Sequence, residues 1–485
     1  MFTINHAAFR RCLLLPALIS GIILASCAKK PVVDNGPVIP PAENHSDVAQ
    51  WLTSADQSNL MKKQSTVLNF GTTSSQYPTI LVDSSVTYQQ IDGFGFALTG
   101  GSATLINSLD EARKDALITE LFSTDSTFIG ASYLRISIGA SDLSATDFTY
   151  DERPAGETDT SLTSFSIDME RTDLIPVLKK ILAINPDIKI LGTPWTPPTW
   201  MKSDQSFVGG SLLPQYYGVY ARYLVNYIKA MAAEGIHIDA ITPQNEPLYG
   251  GNNPSMVMQA SEELDFVKNF LGPAFEAAGL TTKIIVYDHN ADRPDYPITI
   301  LDDPAAAKYV DGSAFHLYGG SITALSQVHN AHPDKNVYFT EQWIGGPSNF
   351  GGDLNWHVKN LIIGATRNWS RNVIEWNLAS DPNYEPHTNG GCSACLGALT
   401  IGTRVSRNVA YYIIAHASKF VRPGSWRISS SVVSPLENVA FINPAGQKVL
   451  IVLNDSNATQ VFNIGYKGKT VTTSLEAGAV ATYVW

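Results

Sequence analysis

Two glutamates frame the chemistry open to this chain. Glu246 closes the run Ile-Thr-Pro-Gln-Asn-Glu-Pro at 241–247, and Glu341 stands in Tyr-Phe-Thr-Glu-Gln-Trp at 338–343. A pair of carboxyl groups can cleave an acetal, one protonating the leaving oxygen while the other attacks the anomeric carbon or activates water. Around them the ends of other apolar runs carry Arg135, Ser137 and Asp142, then Trp195 and Trp200, then His316 and Tyr318, and finally Glu375, Trp376 and Asn377. Such an inventory suits a sugar: indole faces for stacking, amides such as Asn245 for hydroxyls, and Arg135 to favour the ionised form of a nearby carboxylate. Each residue also has a plainer reading. A glutamate after a strand can be a solvated cap, a tryptophan can be core, and His316 can be a satisfied core histidine. What argues for chemistry is that they recur at successive strand ends.

Those ends belong to an alternation. Short β-rich runs at 90–98, 132–138, 188–193, 238–242, 283–288, 312–316, 336–340 and 372–378 are each followed by a helical stretch. The clearest helix spans 214–234, where Tyr220, Leu224, Tyr227, Ile228 and Met231 recur at the spacing of one apolar face. Further helices are expected over 110–122, 173–184, 255–278, 355–369 and 406–420. Parallel strands need a crossover helix each, and eight such units close into a cylinder, so the fold class is α/β, a (β/α)8 TIM barrel over 90–420. An open doubly wound sheet would need a full glycine-rich phosphate turn, and Gly93-Phe-Gly95 lacks its third glycine. In a barrel the site forms at the C-terminal strand ends, where strands four and seven, bearing Glu246 and Glu341, face each other. From 421 to 485 the pattern changes to short alternating runs separated by turns such as Pro444-Ala-Gly446, the mark of an antiparallel β-sandwich. The segment 51–89 contributes to that sandwich through a strand at 79–86.

Composition narrows the partners. The 485 residues are 44% hydrophobic and 16% charged with a net charge of -11, which opposes nucleic acid and anionic membrane surfaces and fits a neutral ligand. Arg10 and Arg11 precede an apolar run at 13–25, too short for the roughly 20 residues of a spanning helix but suited to an export signal over 1–26. Leu24-Ala-Ser-Cys27 resembles a bacterial lipobox, with Cys27 lipidated and 27–50 forming a Pro-rich tether. The expectation is an exported lipoprotein of the outer membrane, on its periplasmic or cell-surface face, touching lipid only through its N-terminus and acting as a monomer. Cys392 and Cys395 alone cannot close a zinc site, and in an exported chain they read as a local disulfide.

The motifs Asp92-Gly-Phe-Gly95, Leu134-Arg-Ile-Ser137, Pro194-Trp-Thr-Pro-Pro-Thr-Trp-Met-Lys202, Gln244-Asn-Glu-Pro247, His316-Leu-Tyr318, Thr340-Glu-Gln-Trp343 and Glu375-Trp-Asn-Leu378 resemble those of glycoside hydrolase family 30, the glucosylceramidase and endo-β-1,6-glucanase family. The resemblance runs in order from about residue 80 to the end. It implies a barrel joined to a β-sandwich, retention of anomeric configuration, a polysaccharide or oligosaccharide substrate, and no metal or organic cofactor. By the same resemblance Glu246 matches the general acid/base and Glu341 the nucleophile. Asn245 matches the amide on the sugar 2-hydroxyl, Trp195 and Trp376 the aromatics around that sugar, and Arg135, His316 and Tyr318 the residues that orient the nucleophile. Leu98-Thr-Gly100-Gly-Ser departs from the acidic residue that glucosylceramidases carry after the strand-one glycines. With the Cys392 loop, this resembles the bacterial branch acting on β-1,6-glucans such as pustulan.

Overall fold

The computed structural model describes residues 45–485 apart from 73, 74 and 126. The expected export signal, Cys27 and the tether up to residue 44 lie outside the described residues.

Eight parallel strands form the barrel half: β1 (Gly93–Ala97), β2 (Tyr133–Ile138), β3 (Lys189–Pro194), β4 (Ala240–Ile241), β5 (Lys283–Ala291), β6 (Val310–Gly320), β7 (Asn336–Glu341) and β8 (Asn372–Asn377). Neighbours in sequence pair in space from β1 to β7, and β8 pairs with β1. The seam between β7 and β8 is drawn together by the Val337 to Ser370 bridge, by Arg371 N–H to the Val337 carbonyl at 2.9 Å, and by Phe339 N–H to the Asn372 side chain at 2.9 Å. All eight strands lie within the stretches expected from apolar periodicity, or extend them by a few residues.

Strand alternation builds the barrel interior in layers. Tyr133, Leu191, Ala240, Ile285, Ala314, Tyr338 and Ile374 form an apolar plug. Two residues on, towards the C-terminal mouth, the inward positions become Arg135, Thr193, Thr242, His316, Thr340 and Trp376. Along β5 the register slips between Tyr287 and His289, which turns Asp288 inward at the same level. A second slip, between Phe339 and Glu341 of β7 against Phe315 and His316 of β6, aims Glu341 at the mouth. The sequence therefore lays a dry floor first and a polar layer on top of it.

Helices Glu111–Phe122, Leu174–Ile184, Tyr217–Ala233 and Val409–Ser418 fall inside their expected ranges. The stretch expected as one helix over 255–278 begins at Ala260 and carries a π-helical turn at Val267–Leu271. Helices outside those ranges include Asp295–Leu301, Ala324–Ala331 and Gly100–Asn107, the last capped by the Thr99 side chain and opening on two poor helix formers.

The sandwich is one nine-stranded sheet folded over its own core. Trp426–Ser430, Leu436–Ile442, Lys448–Asn454, Gln460–Tyr466, Lys469–Leu475 and Val480–Val484 match the six runs expected after 421. Thr79–Gln90 joins them as expected, although it pairs parallel with Gln460–Tyr466 rather than antiparallel. The expected tether boundary at residue 50 needs correction. Strand Ala49–Thr53 crosses it and pairs with Val480–Val484, because Val48, Leu52 and their neighbours alternate into the sandwich core. His416 fastens the two halves, its ring nitrogens 2.8 Å from Thr482 and 2.8 Å from Thr53.

Candidate active site

The polar layer is organised by one buried ion pair. Nη2 of Arg135 meets Oδ2 of Asp288 at 2.8 Å and Oδ1 of Asn245 at 2.7 Å, while Nη1 holds Oε2 of Glu341 at 2.5 Å. Asp288 also accepts from Thr242 at 2.8 Å and Thr340 at 2.6 Å, and its Oδ1 lies 3.2 Å from Nε2 of His316. Burial alone would lift the Asp288 carboxyl; the Arg135 charge and the His316 and Thr340 contacts outweigh burial and hold it far below the usual carboxylate range. Sequence reasoning ended a strand on Asp288 without singling it out. Reading the fifth strand end as the others were read would have found it.

His316 links this pair to the glutamates. Its Nδ1 lies 3.0 Å from Oε1 of Glu246 and 3.8 Å from Oε1 of Glu341. Burial works against a charged imidazole, but the Glu341 and Asp288 charges and the contacts to Asp288 and Glu246 prevail and raise it to about 9. Tyr318 donates its hydroxyl to Oε1 of Glu341 at 2.9 Å, and burial with the Glu341 charge keeps that phenol protonated. A carboxylate oxygen of Glu246, one of Glu341 and a ring nitrogen of His316 all lie within 4.8 Å of one another. That spacing fits the roughly 5–5.5 Å between carboxyl groups of retaining glycosidases and not the 6.5–9.5 Å of inverting ones.

Burial opposes ionisation of both glutamates. The His316 hydrogen bond and charge keep Glu246 below the usual carboxylate range, whereas burial together with the Glu246 charge lifts Glu341 above it, against the pull of His316 and Arg135. Carboxyls this close titrate as one unit. Glu246 also has a left-handed backbone, φ +44°, with its N–H on the Asp288 carbonyl at 3.0 Å. A non-glycine residue held there costs on the order of 1 kcal/mol and persists where the surroundings over-determine it.

Above the glutamates opens a cavity of about 340 Å³ lined by Asp142, Trp195, Glu246, Tyr249, Asn252, Tyr318, Glu341, Trp343, Trp376 and the Cys392–Cys395 disulfide. Trp195 and Trp376 stand 5.4 Å apart with their rings tilted by 32°, and the Arg135 guanidinium lies 4.9 Å from the first and 5.6 Å from the second. Two buried polar atoms on this wall lack a protein partner, Nε1 of Trp195 and Oδ1 of Asp142. A bound hydroxyl-rich ligand would satisfy both. Burial, then the charges of Glu341 and Glu246, push the Asp142 carboxyl up to about 7, so it can donate as well as accept.

The structure thus brings Glu246, Glu341, Asn245, Trp195, Trp376, Tyr318, His316 and Arg135 to one mouth. Trp200 does not belong with them: its indole donates to the Asp151 carbonyl at 2.8 Å and its ring packs on Tyr216 as core. Glu375 points outward to His357, with Oε1 2.8 Å from Nδ1. Gly100 and Gly101 begin a helix under the β2 loop and do not line the cavity; a Cβ on Gly101 would stand 2.6 Å from the Leu143 carbonyl. The acid facing the cavity on this side comes from Asp142. Tyr249 and Asn252 were missed, because nothing in Leu-Tyr-Gly-Gly-Asn-Asn marks a site until the β4 loop folds over the mouth.

Among the described residues, Glu246, His316 and Glu341 are the only group spaced to hold a metal ion. The donor set fits poorly: both His316 nitrogens face carboxylates that favour its charged form, and Arg135 already occupies Glu341. A larger cavity of about 570 Å³ lies at the seam of barrel and sandwich, lined by Trp51, Glu120, Arg407 and Tyr411 among others. Its single carboxylate is tied to Arg407 and Tyr411, which leaves no acid pair there.

Comparison with known proteins places the chain in a family. The chain is 35% identical over 416 residues to "Endo-1,6-beta-D-glucanase neg1" of Aspergillus fumigatus, covering 80% of this chain and 83% of that one. It is 37% identical over 391 residues to the endo-1,6-beta-D-glucanase of Neurospora crassa, covering 76% and 79%. Its fold superposes on the solved endo-beta1,6-glucanase BT3312 with a TM-score of 0.85 and 36% identity, over 91% of this chain and 99% of that one. Residues 91–421 match the Glycosyl hydrolase family 30 TIM-barrel domain and 424–483 the family's beta sandwich domain, and the chain belongs to glycosyl hydrolase family 30.

Proposed function

We propose that this enzyme is a retaining glycoside hydrolase that cleaves β-1,6-glucosidic linkages in glucan of the pustulan type. The observation that carries the mechanism is the approach of Glu246 and Glu341 within 4.8 Å at the barrel mouth. Glu341 attacks the anomeric carbon while Glu246 protonates the leaving oxygen; Glu246 then deprotonates the water that releases the sugar. Arg135 and Tyr318 touch Glu341 directly, and both favour its anionic form. Positive charge growing at the anomeric carbon favours the anion on Glu341, and His316 stands within 4 Å of both carboxyls. Asn245, Trp195, Trp376 and Asp142 hold the sugar being cleaved.

The linkage follows from the endo-1,6-glucanase relatives at 35–37% identity. We also propose that residues 1–26 direct export and that Cys27 carries lipid, which would set a monomeric enzyme on the outer membrane facing polysaccharide. A hydrolysis screen on pustulan, laminarin, xylan, glucosylceramide and an aryl β-glucoside tests the substrate. Release of gentio-oligosaccharides from pustulan is the expected result, and activity confined to any of the others overturns the linkage.

A further inference from the structure

The mechanism leaves one element of the cavity unused. Cys392 and Cys395, joined with their Cα atoms 5.7 Å apart, form part of its wall. Cys395 is buried and packs with Leu143, Trp195 and Trp376, while Cys392 and Trp343 lie against the same cluster. Both cysteines line the same cavity as Asp142.

The loop bearing the disulfide is stitched to three others that shape the mouth. Thr388 N–H reaches the Asp142 carbonyl at 2.9 Å, and its hydroxyl reaches the Asn253 carbonyl at 2.6 Å. Gly346 N–H bonds the Ala394 carbonyl at 2.8 Å, and Leu396 N–H the Ile344 carbonyl at 2.9 Å. Gly391 permits the closest approach: a Cβ there would stand 2.3 Å from the Asp142 carbonyl. Between these anchors the chain reads Asn-Gly-Gly-Cys-Ser-Ala-Cys, with two glycines and no large apolar side chain to fix it.

We propose that the Cys392–Cys395 disulfide is a positioning element for substrate: it holds the loop against the Asp142 backbone and the sulfur-faced wall against Trp195 and Trp376, so oxidation of this loop sets the affinity for sugar. The glutamates are anchored separately, through Arg135, His316 and Tyr318, and do not depend on it. The reduced chain is then a weak binder with intact chemistry. This inference rests on the cavity being a sugar site, but not on the linkage of the glucan.

The test compares oxidised enzyme, enzyme reduced with dithiothreitol, and the Cys392→Ser/Cys395→Ser double variant, assayed below the melting temperature of each. Dithiothreitol supplies two electrons and two protons; the S–S bond opens to two thiols and the reagent closes to its cyclic disulfide, with thiol titration reporting completion. Reduction and the double substitution are expected to raise KM about ten-fold while kcat falls less than about three-fold. In reduced enzyme Asp142→Asn should cost much less than in oxidised enzyme, since the disulfide loop packs against Asp142 and both line one wall. An unchanged KM, or a fall in kcat at constant KM, overturns the proposal, as does full additivity with Asp142→Asn. If pustulan is not cleaved but another β-glucoside is, the linkage reading fails and the comparison is made on that glycoside. If the double variant does not fold, reduced wild-type enzyme decides the matter.

Discussion

Arg135 and Asp288 form an ion pair at 2.8 Å with both side chains fully removed from solvent, and each member anchors a contact to one of the two glutamates. Arg135 reaches Glu341 and Asn245, and Asp288 orients His316, which faces Glu246. Breaking the pair strands a buried charge. Asp288→Asn should destabilise the fold by about 3–5 kcal/mol and lower kcat by about 100-fold or more, because both arms of the site lose their anchor. Arg135→Lys keeps the charge but cannot span Glu341, Asn245 and Asp288 at once, and a similar loss in kcat is expected. Thermal melts and steady-state kinetics on both variants check this, and near wild-type turnover in Asp288→Asn would refute the anchoring role.

The two glutamates can be told apart chemically. Glu341→Ala should lose turnover about 10⁴-fold or more while staying folded; azide added to it should restore cleavage and give a glycosyl azide of α configuration. Glu246→Ala should retain more activity on an aryl glycoside with a good leaving group, and azide should yield the β product. Nuclear magnetic resonance of the products reads the configuration directly. The reverse pattern would exchange the two roles. For the wild-type enzyme the first product should appear as the β anomer.

Much of this site was legible before the fold. A carboxylate, an indole or an amide at the end of an apolar run stands out in a barrel sequence, because the run ends where the mouth begins. Glu246, Glu341, Trp195 and Trp376 were visible on that ground alone. Asp288 was not, because its meaning comes from partners on β2, β6 and β7 and from a register slip that turns it inward. Trp200 shows the opposite error: it sits beside Trp195 in sequence, yet a short 3₁₀ turn at Thr199–Met201 carries it into the core. Strand Ala49–Thr53 was hidden for a third reason, since the partner that seats it in the sandwich, Val480–Val484, lies more than four hundred residues away.

The N-terminal reading has its own test. If Cys27 is the lipidated first residue of the mature chain, Cys27→Ser should abolish incorporation of labelled palmitate. It should also move the enzyme from the membrane to the soluble fraction, with kcat and KM unchanged, because residues 45–485 contain the whole barrel and sandwich. Membrane retention of Cys27→Ser would remove the lipoprotein assignment without touching the catalytic one.

Asp142 sets function against stability, and pH exposes the conflict. Its carboxyl is buried, Oδ1 has no protein partner, and burial with the Glu341 and Glu246 charges raises it from 3.8 to about 7. The sign follows from linkage. Between those two values the unfolded chain has released this proton and the native chain still holds it, so native stability falls as pH rises from about 4 to about 7 and levels off above. Asparagine keeps the shape and never ionises. Asp142→Asn should therefore melt close to wild type at pH 4 and above it at pH 8, the gap opening across that window. The same substitution removes a group facing the sugar, so kcat/KM should fall about 10- to 100-fold. A residue held for structure would behave in the opposite way, losing stability on substitution and leaving kcat/KM alone. Melting curves at pH 4, 6 and 8, paired with kinetics at one pH, separate the two.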